Sequence, residues 1–227
     1  MGSSAAGLVA ALGLHYAQAG EDVESEPVRK TIFERAREVH ALIQGGGSGV
    51  DVAASTFGGV LAYTIGSIEA VKLPRDVSIT AFFSGTSART SVLRERVDAL
   101  AARDRDEHAA RMSLLREIAK GARAAVRSRD AIAFVSSVAS TGEALAALGA
   151  AADAPIVPAA FIELGARAKS EGAAFIPSGA GGGDVGVFVG PAPSSAFTTA
   201  ARAAGMKLLA LAIESRGVHV STTQENP

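Results

Sequence analysis

The chain has 227 residues, 48% of them apolar, with 22 basic against 23 acidic side chains and a formal charge of −1. That length suits one large or two small domains, and the near-neutral balance with no long basic run excludes an electrostatic nucleic-acid footprint. The absence of cysteine excludes disulfides and thiolate metal sites. No apolar run reaches membrane-spanning length, and residues 5–14 lack the charged leader of a signal peptide. A cytoplasmic protein with neither a membrane nor a nucleic-acid partner is the default expectation.

The first predicted element is an Ala/Leu-rich helix over 4–18, opened by Gly2-Ser3. A second spans 27–43, with Pro27 in its first turn and Ile32, Ala36, Val39 and Ile43 on one face. A Gly45–Gly49 loop leads to a short helix at 50–56 and a strand at 60–66. Residues 77–83 alternate as a strand. Helices follow at 89–102, 106–127, 129–149 and 156–171. The Arg-rich stretch between Arg103 and Arg129 alternates with acids and reads as a solvated helical face. The last third reads as strand 172–176, a glycine loop, strand 185–190, helix 194–205, and strands 207–213 and 217–222. This order predicts an α+β fold, an antiparallel layer with helices on one face.

Three glycine/serine segments carry the chemistry. Gly2-Ser3-Ser4-Ala5-Ala6-Gly7 places unpaired first-turn N–H groups, a helix dipole and two hydroxyls at one point, as phosphate binding requires. Alone it reads first as an ordinary serine N-cap. Gly45-Gly46-Gly47-Ser48-Gly49-Val50-Asp51 puts a carboxylate at the start of a helix, where a cap is the plain alternative. Ser178-Gly179-Ala180-Gly181-Gly182-Gly183-Asp184 lies between two strands and is, by itself, a turn. Walker and Rossmann fingerprints are absent.

Together the three segments resemble the GHMP kinase superfamily, which includes galactokinase, homoserine kinase, mevalonate kinase and phosphomevalonate kinase. Gly2-Ser3-Ser4-Ala5-Ala6 resembles the second half of its phosphate loop. Gly47-Ser48-Gly49-Val50-Asp51 resembles the segment with the catalytic aspartate, and 178–184 resembles its C-terminal glycine motif. His40-Ala41-Leu42-Ile43-Gln44-Gly45 followed by Gly47-Ser48-Gly49-Val50-Asp51-Val52-Ala53 is most similar to the phosphomevalonate kinase pattern. Val50 and Ile43 depart from it. His40 takes the place of a metal-binding glutamate of mevalonate kinases and marks the subfamily without a catalytic role. Asp184 also fits the phosphomevalonate kinases. The segment Phe83 to Ser91 resembles a substrate-binding stretch, or is a strand-to-helix turn.

The resemblance implies a GHMP kinase fold without its first strands and with a ferredoxin-like C-terminal part. The expected division is a remainder of the ATP-binding domain over 1–80 and a C-terminal domain over 81–227. It implies transfer of a phosphoryl group from ATP to phosphomevalonate with Mg²⁺. Asp51 is the implied catalytic residue, Gly2 to Ala6 the implied phosphate loop, and Ser3 or Ser4 the implied metal ligand. The implied substrate contacts are Ser48, Gly49, Ser87, Arg89, Ser178, Gly179, Ala180, Gly181, Gly182, Gly183 and Asp184. Met1 stands where the family has a leucine inside the phosphate loop. The expectation is therefore an N-terminally shortened member with impaired turnover, self-associating through exposed apolar surface. Mevalonate kinase and a non-catalytic paralogue are the alternatives.

Overall fold

A computed structural model describes residues 2–44, 46–86 and 90–221, within which eight helices and six strands are formed. The chain divides into two compact units. One comprises Leu73–Leu211; the other comprises Gly2–Lys72 together with the chain from Ala212 onward. The expected boundary at 80/81 falls inside a strand, Ser78–Phe83.

In the first-mentioned unit, β3 (Ser78–Phe83), β4 (Ala174–Pro177), β5 (Val185–Gly190) and β6 (Lys207–Leu209) form one antiparallel sheet in the order β4-β5-β3-β6. Between β3 and β4 run α4 (Thr90–Arg103), α5 (Arg105–Ser128), α6 (Ala131–Ala151) and α7 (Ala159–Ser170), and α8 (Ser195–Ala203) joins β5 to β6. Strand–helices–strand–strand–helix–strand in that spatial order is the ferredoxin-like arrangement. The core is aromatic: Phe82, Phe161, Phe175, Phe188 and Phe197 are all buried, with Leu164 and Ala201 between them. Val185, Phe188 and Val189 are all buried, so β5 is covered on both faces rather than one. Gly186 is required there, because a Cβ would lie 2.3 Å from Phe175 Cζ.

Local signals set the helix limits. Asp104 caps α5 by accepting from the Glu107 N–H at 3.0 Å, the Asp-x-x-Glu spacing of a capping box. Asp130 caps α6 the same way through Ala133, and Ser194 caps α8 through Phe197. Helix α6 corrects one expectation. It is 21 residues long and, by length and composition, apolar enough to cross a membrane, although it packs on α5 and β4.

The other unit holds α1 (Ser3–Gln18), α2 (Glu26–Gln44), α3 (Val50–Phe57) and the antiparallel hairpin β1 (Val60–Thr64)/β2 (Ser67–Val71). Its core is Ala5, Val9, Val23, Ile32, Ala36, Val52 and Val218. The single long strand expected at 60–66 is instead β1 with a turn at Ile65-Gly66 and a return strand. The strand expected over 217–222 is not formed within 217–221. There the Val218 N–H donates to the Thr56 carbonyl at 3.1 Å, and the Gly59 N–H to that of Glu214 at 2.7 Å. Gly217 (φ +67°) and Gly58 (φ +69°) meet so closely that a Cβ on Gly217 would lie 2.4 Å from Thr56 O. These bonds consume the polar groups a sheet partner would need.

Candidate active site

Helix α1 starts without a side-chain cap. Gly2 precedes it in the left-handed region (φ 53°, ψ 18°), a conformation glycine adopts without Cβ strain. Ser3 and Ser4 are exposed and Ala5 is fully buried. The first turn therefore presents its amides and hydroxyls outward while Ala5 anchors it to the core. The positive end of the helix dipole lies at the same place.

Two further side chains arrive at this end. His40 lies in the last turn but one of α2, and its Nε2 is 3.3 Å from Ser4 Oγ. Asp51 sits in the first turn of α3, behind a second left-handed glycine, Gly49 (φ 76°). Asp51 Oδ2 is 3.6 Å from the same His40 Nε2, and Oδ1 accepts from the Val52 N–H at 3.0 Å. A Cβ on Gly2 would lie 3.5 Å from Asp51 Cβ. The structure thus brings Gly2, Ser4 and Asp51, expected from sequence, against His40, which the sequence marked only as a subfamily residue. The signal for His40 was its place eleven residues before Asp51, one helix earlier.

Ser4 and Asp51 approach the same ring nitrogen. A nucleophilic serine relay needs them on opposite nitrogens, so that the ring passes a proton from one side to the other. This arrangement instead holds a hydroxyl and a carboxylate as neighbouring oxygen donors. Among the described residues no group of three or more His, Cys, Asp or Glu could hold a metal ion by itself. Ser3, Ser4 and Asp51 are hard oxygen donors of the kind Mg²⁺ takes one or two at a time, with phosphates and water completing the shell. The residues fit the cation in that limited sense.

Ser48 and Gly49 form the corner ahead of Asp51. The Tyr63 hydroxyl of β1 donates to the Ser48 carbonyl. The Arg37 side chain packs on Gly49 so that an added Cβ would lie 2.9 Å from Arg37 Cγ. Arg37, one turn before His40 on α2, had drawn no attention in the sequence. Its signal was the i,i+3 relation that places it on the His40 face.

The glycine loop 178–184 lies in the other unit, between β4 and β5. Much of its hydrogen bonding is internal to that unit. The Gly182 N–H donates to Ile156 O at 2.8 Å, Asp184 N–H to Thr86 O at 2.9 Å, and Ser84 N–H to Asp184 O at 2.7 Å. Gly181 is buried against Ile156, whose carbonyl a Cβ would approach to 2.2 Å, and a Cβ on Gly183 would lie 2.7 Å from Thr86 Oγ1. Gly179 and Ala180 form the exposed rim. The loop and the 84–86 turn, singled out separately in the sequence, therefore lie together. Asp184 itself adopts φ 61°. Ser87 and Arg89 lie outside the described residues, as do Met1 and Gly45.

No family model matches the chain, and no curated protein does. Solved structures do. A Lin0012 protein from Listeria innocua superposes with a TM-score of 0.74 at 23% identity over 82% of this chain and 59% of that one. The L. major mevalonate kinase, solved with R-mevalonate, gives 0.64 at 19% identity over 89% of this chain and 60% of that one. The Streptococcus pneumoniae phosphomevalonate kinase, solved with phosphomevalonate and AMPPNP, gives 0.65 at 17% identity over 80% and 60%. The chain spans 59–60% of the length of these structures. What they share with it at such identities is architecture, and the α+β fold of this chain is the one seen in these mevalonate kinase and phosphomevalonate kinase structures.

Proposed function

We propose that this chain is a phosphotransferase of the GHMP kinase type, moving the γ-phosphoryl group of ATP to the phosphate of phosphomevalonate. The observation that carries the reading is the convergence of Gly2, Ser4, His40 and Asp51 at the uncapped N-terminus of α1. Its support is the shared fold.

In this reading the amides of residues 3–6 hold the β- and γ-phosphates at the helix N-terminus, where aligned dipoles favour negative charge. The hydroxyl of Ser3 or Ser4 and the Asp51 carboxylate are the oxygen donors for Mg²⁺, which when bound supplies neutralisation of the phosphate charge. An attacking phosphate monoester is largely dianionic near neutral pH, its second pKa being about 6. It needs little help losing a proton, so Asp51 serves mainly to position the attacking oxygen and order the charges around it. His40 holds Ser4 and Asp51 in register through one nitrogen. Ser48 and Gly49, the loop Ser178 to Asp184, and Ser87 with Arg89 are the proposed substrate contacts. The proposed setting is the cytoplasm.

The test is a single-turnover reaction with stoichiometric protein and Mg-ATP, followed by phosphorus NMR. Phosphomevalonate and mevalonate are offered separately. Diphosphomevalonate from the first and nothing from the second supports the reading. Phosphorylation of mevalonate alone moves the acceptor from a phosphate to an alcohol.

A further inference from the structure

Helix α6 carries one charged residue, Glu143, among its 21. A helix that is apolar on all sides is ordinarily buried on all sides, yet only Ala144, Leu148 and Gly149 of α6 are buried. It packs on α5 and on β4, and against β4 a Cβ on Gly142 would lie 2.7 Å from Ile176 Cγ2. Its remaining face is uncovered. Ile132 there is 85% exposed.

Two open cavities lie along that face. One, of about 310 Å³, lies between α6 and α7 against Phe161 and Phe175. The other, of about 420 Å³, follows the first half of α6 from Ala139 past Val135 to Ile132. Ala139, Glu143 and Lys169 line both, so the two form one groove. Across its middle, Lys169 Nζ donates to Glu143 Oε1 at 3.1 Å. An exposed isoleucine stands at each end: Ile132 beside the larger cavity, and Ile162, 55% exposed, beside the smaller. Among the described residues the remaining charge lining the groove is Asp76, which is exposed to water. These features match themselves under a two-fold axis through the ion pair, because that rotation exchanges the ends of the groove. Ile132 of one copy then faces the smaller cavity of the other, and Ile162 faces the larger. Each Glu143 meets the second copy's Lys169, so the two ion pairs become a cluster of alternating sign. Such self-matching is what a two-fold contact requires.

We propose that this groove is the contact through which two copies of the chain pair, α6 lying against α6 in the antiparallel sense. The contact rests on the Leu73–Leu211 unit alone and is independent of the reading of the α1 site. From Ile132 to Ala146 α6 runs about 21 Å, and with α7 beside it the face is about 20 Å wide, or about 400 Å² per copy. That is small for a dimer contact, so the pairing is weak and concentration-dependent. Its specificity comes from the two isoleucines and from the alternating charges at the centre.

Sedimentation velocity of the 227-residue chain from about 1 to 300 μM tests it, a range that brackets a micromolar Kd. The expected result is a monomer passing to a dimer and to nothing larger, because a two-fold contact closes on itself. Ile132→Asp should weaken the pairing at least about tenfold, since it places a charge against an apolar cavity. Glu143→Lys and Lys169→Glu each bring like charges together and should stay monomeric when alone. Mixed in equal amounts, the two variants should dimerise with each other at least as strongly as the native chain, a rescue that only facing positions give. The side chains of Lys169 and Glu143 are 70% and 68% exposed, so both variants keep the fold, which far-ultraviolet circular dichroism verifies. A chain that stays monomeric over the whole range overturns the proposal, including one that then floats with phosphatidylcholine vesicles, as a lipid-covered face would. Association that survives Ile132→Asp, or charge variants that fail to rescue each other, overturns it too.

Discussion

His40 Nε2 stands 3.6 Å from Asp51 Oδ2, and the same nitrogen is 3.3 Å from the hydroxyl of Ser4. Three helices therefore meet through one imidazole: α1 by its hydroxyl, α3 by its carboxylate, α2 by the ring. The contact fixes where Asp51 sits relative to the phosphate-type turn, and the first two predictions rest on it.

Asp51→Asn removes the charge and keeps the shape. If Asp51 acts on the reacting groups, kcat should fall by about 10²–10³, the usual effect of losing one preorganised group. ATP affinity should change little, the pattern of an interaction made chiefly in the transition state. Steady-state kinetics with phosphomevalonate read both quantities. Near-normal turnover would reduce Asp51 to a first-turn carboxylate of α3.

His40→Ala should lower kcat by about tenfold, because it removes a charge-assisted contact and frees Ser4 and Asp51 to drift. Its effect on folding should stay within about 1 kcal/mol, since His40 lies at the edge of the core. The chain's tyrosines, Tyr16 and Tyr63, both belong to this unit. Urea unfolding followed by tyrosine fluorescence therefore reads its stability directly.

Gly217→Ala should destabilise the same unit by about 2 kcal/mol or more. It places a Cβ in the left-handed region at φ +67°, 2.4 Å from the Thr56 carbonyl oxygen, and combines a cost of about 1–2 kcal/mol for the conformation with overpacking against backbone that cannot yield. A wild-type midpoint in the tyrosine transition would contradict the interlock of Gly58 and Gly217.

In the other unit, Gly183→Ala should destabilise more than Gly179→Ala. Both positions have positive φ, but the new methyl meets Thr86 Oγ1 at 2.7 Å in the first case and nothing within 4 Å in the second. Thr86→Ala in the Gly183→Ala background should recover part of the loss, with a coupling of about 1 kcal/mol. Thermal unfolding followed by circular dichroism compares the native chain, Gly179→Ala, Gly183→Ala, Thr86→Ala and the Gly183→Ala/Thr86→Ala double variant.

Much of this architecture was legible in the chain. The caps at Asp104, Asp130 and Ser194 are local signals and sit where helices begin. The glycine loop was legible as a loop, but not its purpose at Gly181 and Gly183, which exists only once Ile156 and Thr86 are folded against it. The segment after Gly217 alternates as a strand does, yet its hydrogen bonds go to the end of α3; alternation does not say where a partner will be. The hairpin return β2 was missed because Ser67-Ile68-Glu69-Ala70-Val71 is short and carries an acid at its centre. At the candidate site, the motifs pointed to Gly2, Ser4 and Asp51, which the fold brings together. His40 and Arg37 needed the packing of α2, because a histidine or arginine on a helix carries no functional signal until its neighbours are known.

The central claim is that the N-terminus of α1, with Ser4, His40 and Asp51, receives nucleotide phosphates. Its most direct test is a titration of the nitrogen-15-labelled chain with Mg-ATP, reading the backbone amides. The account expects saturable shifts concentrated at Ser3 to Ala6 and at Asp51, weakened at least about tenfold by Asp inserted at Ser4, where like charge meets the phosphates. Mg-ATP that leaves these amides unmoved, or that binds Ser4→Asp as well as the native chain, would contradict it.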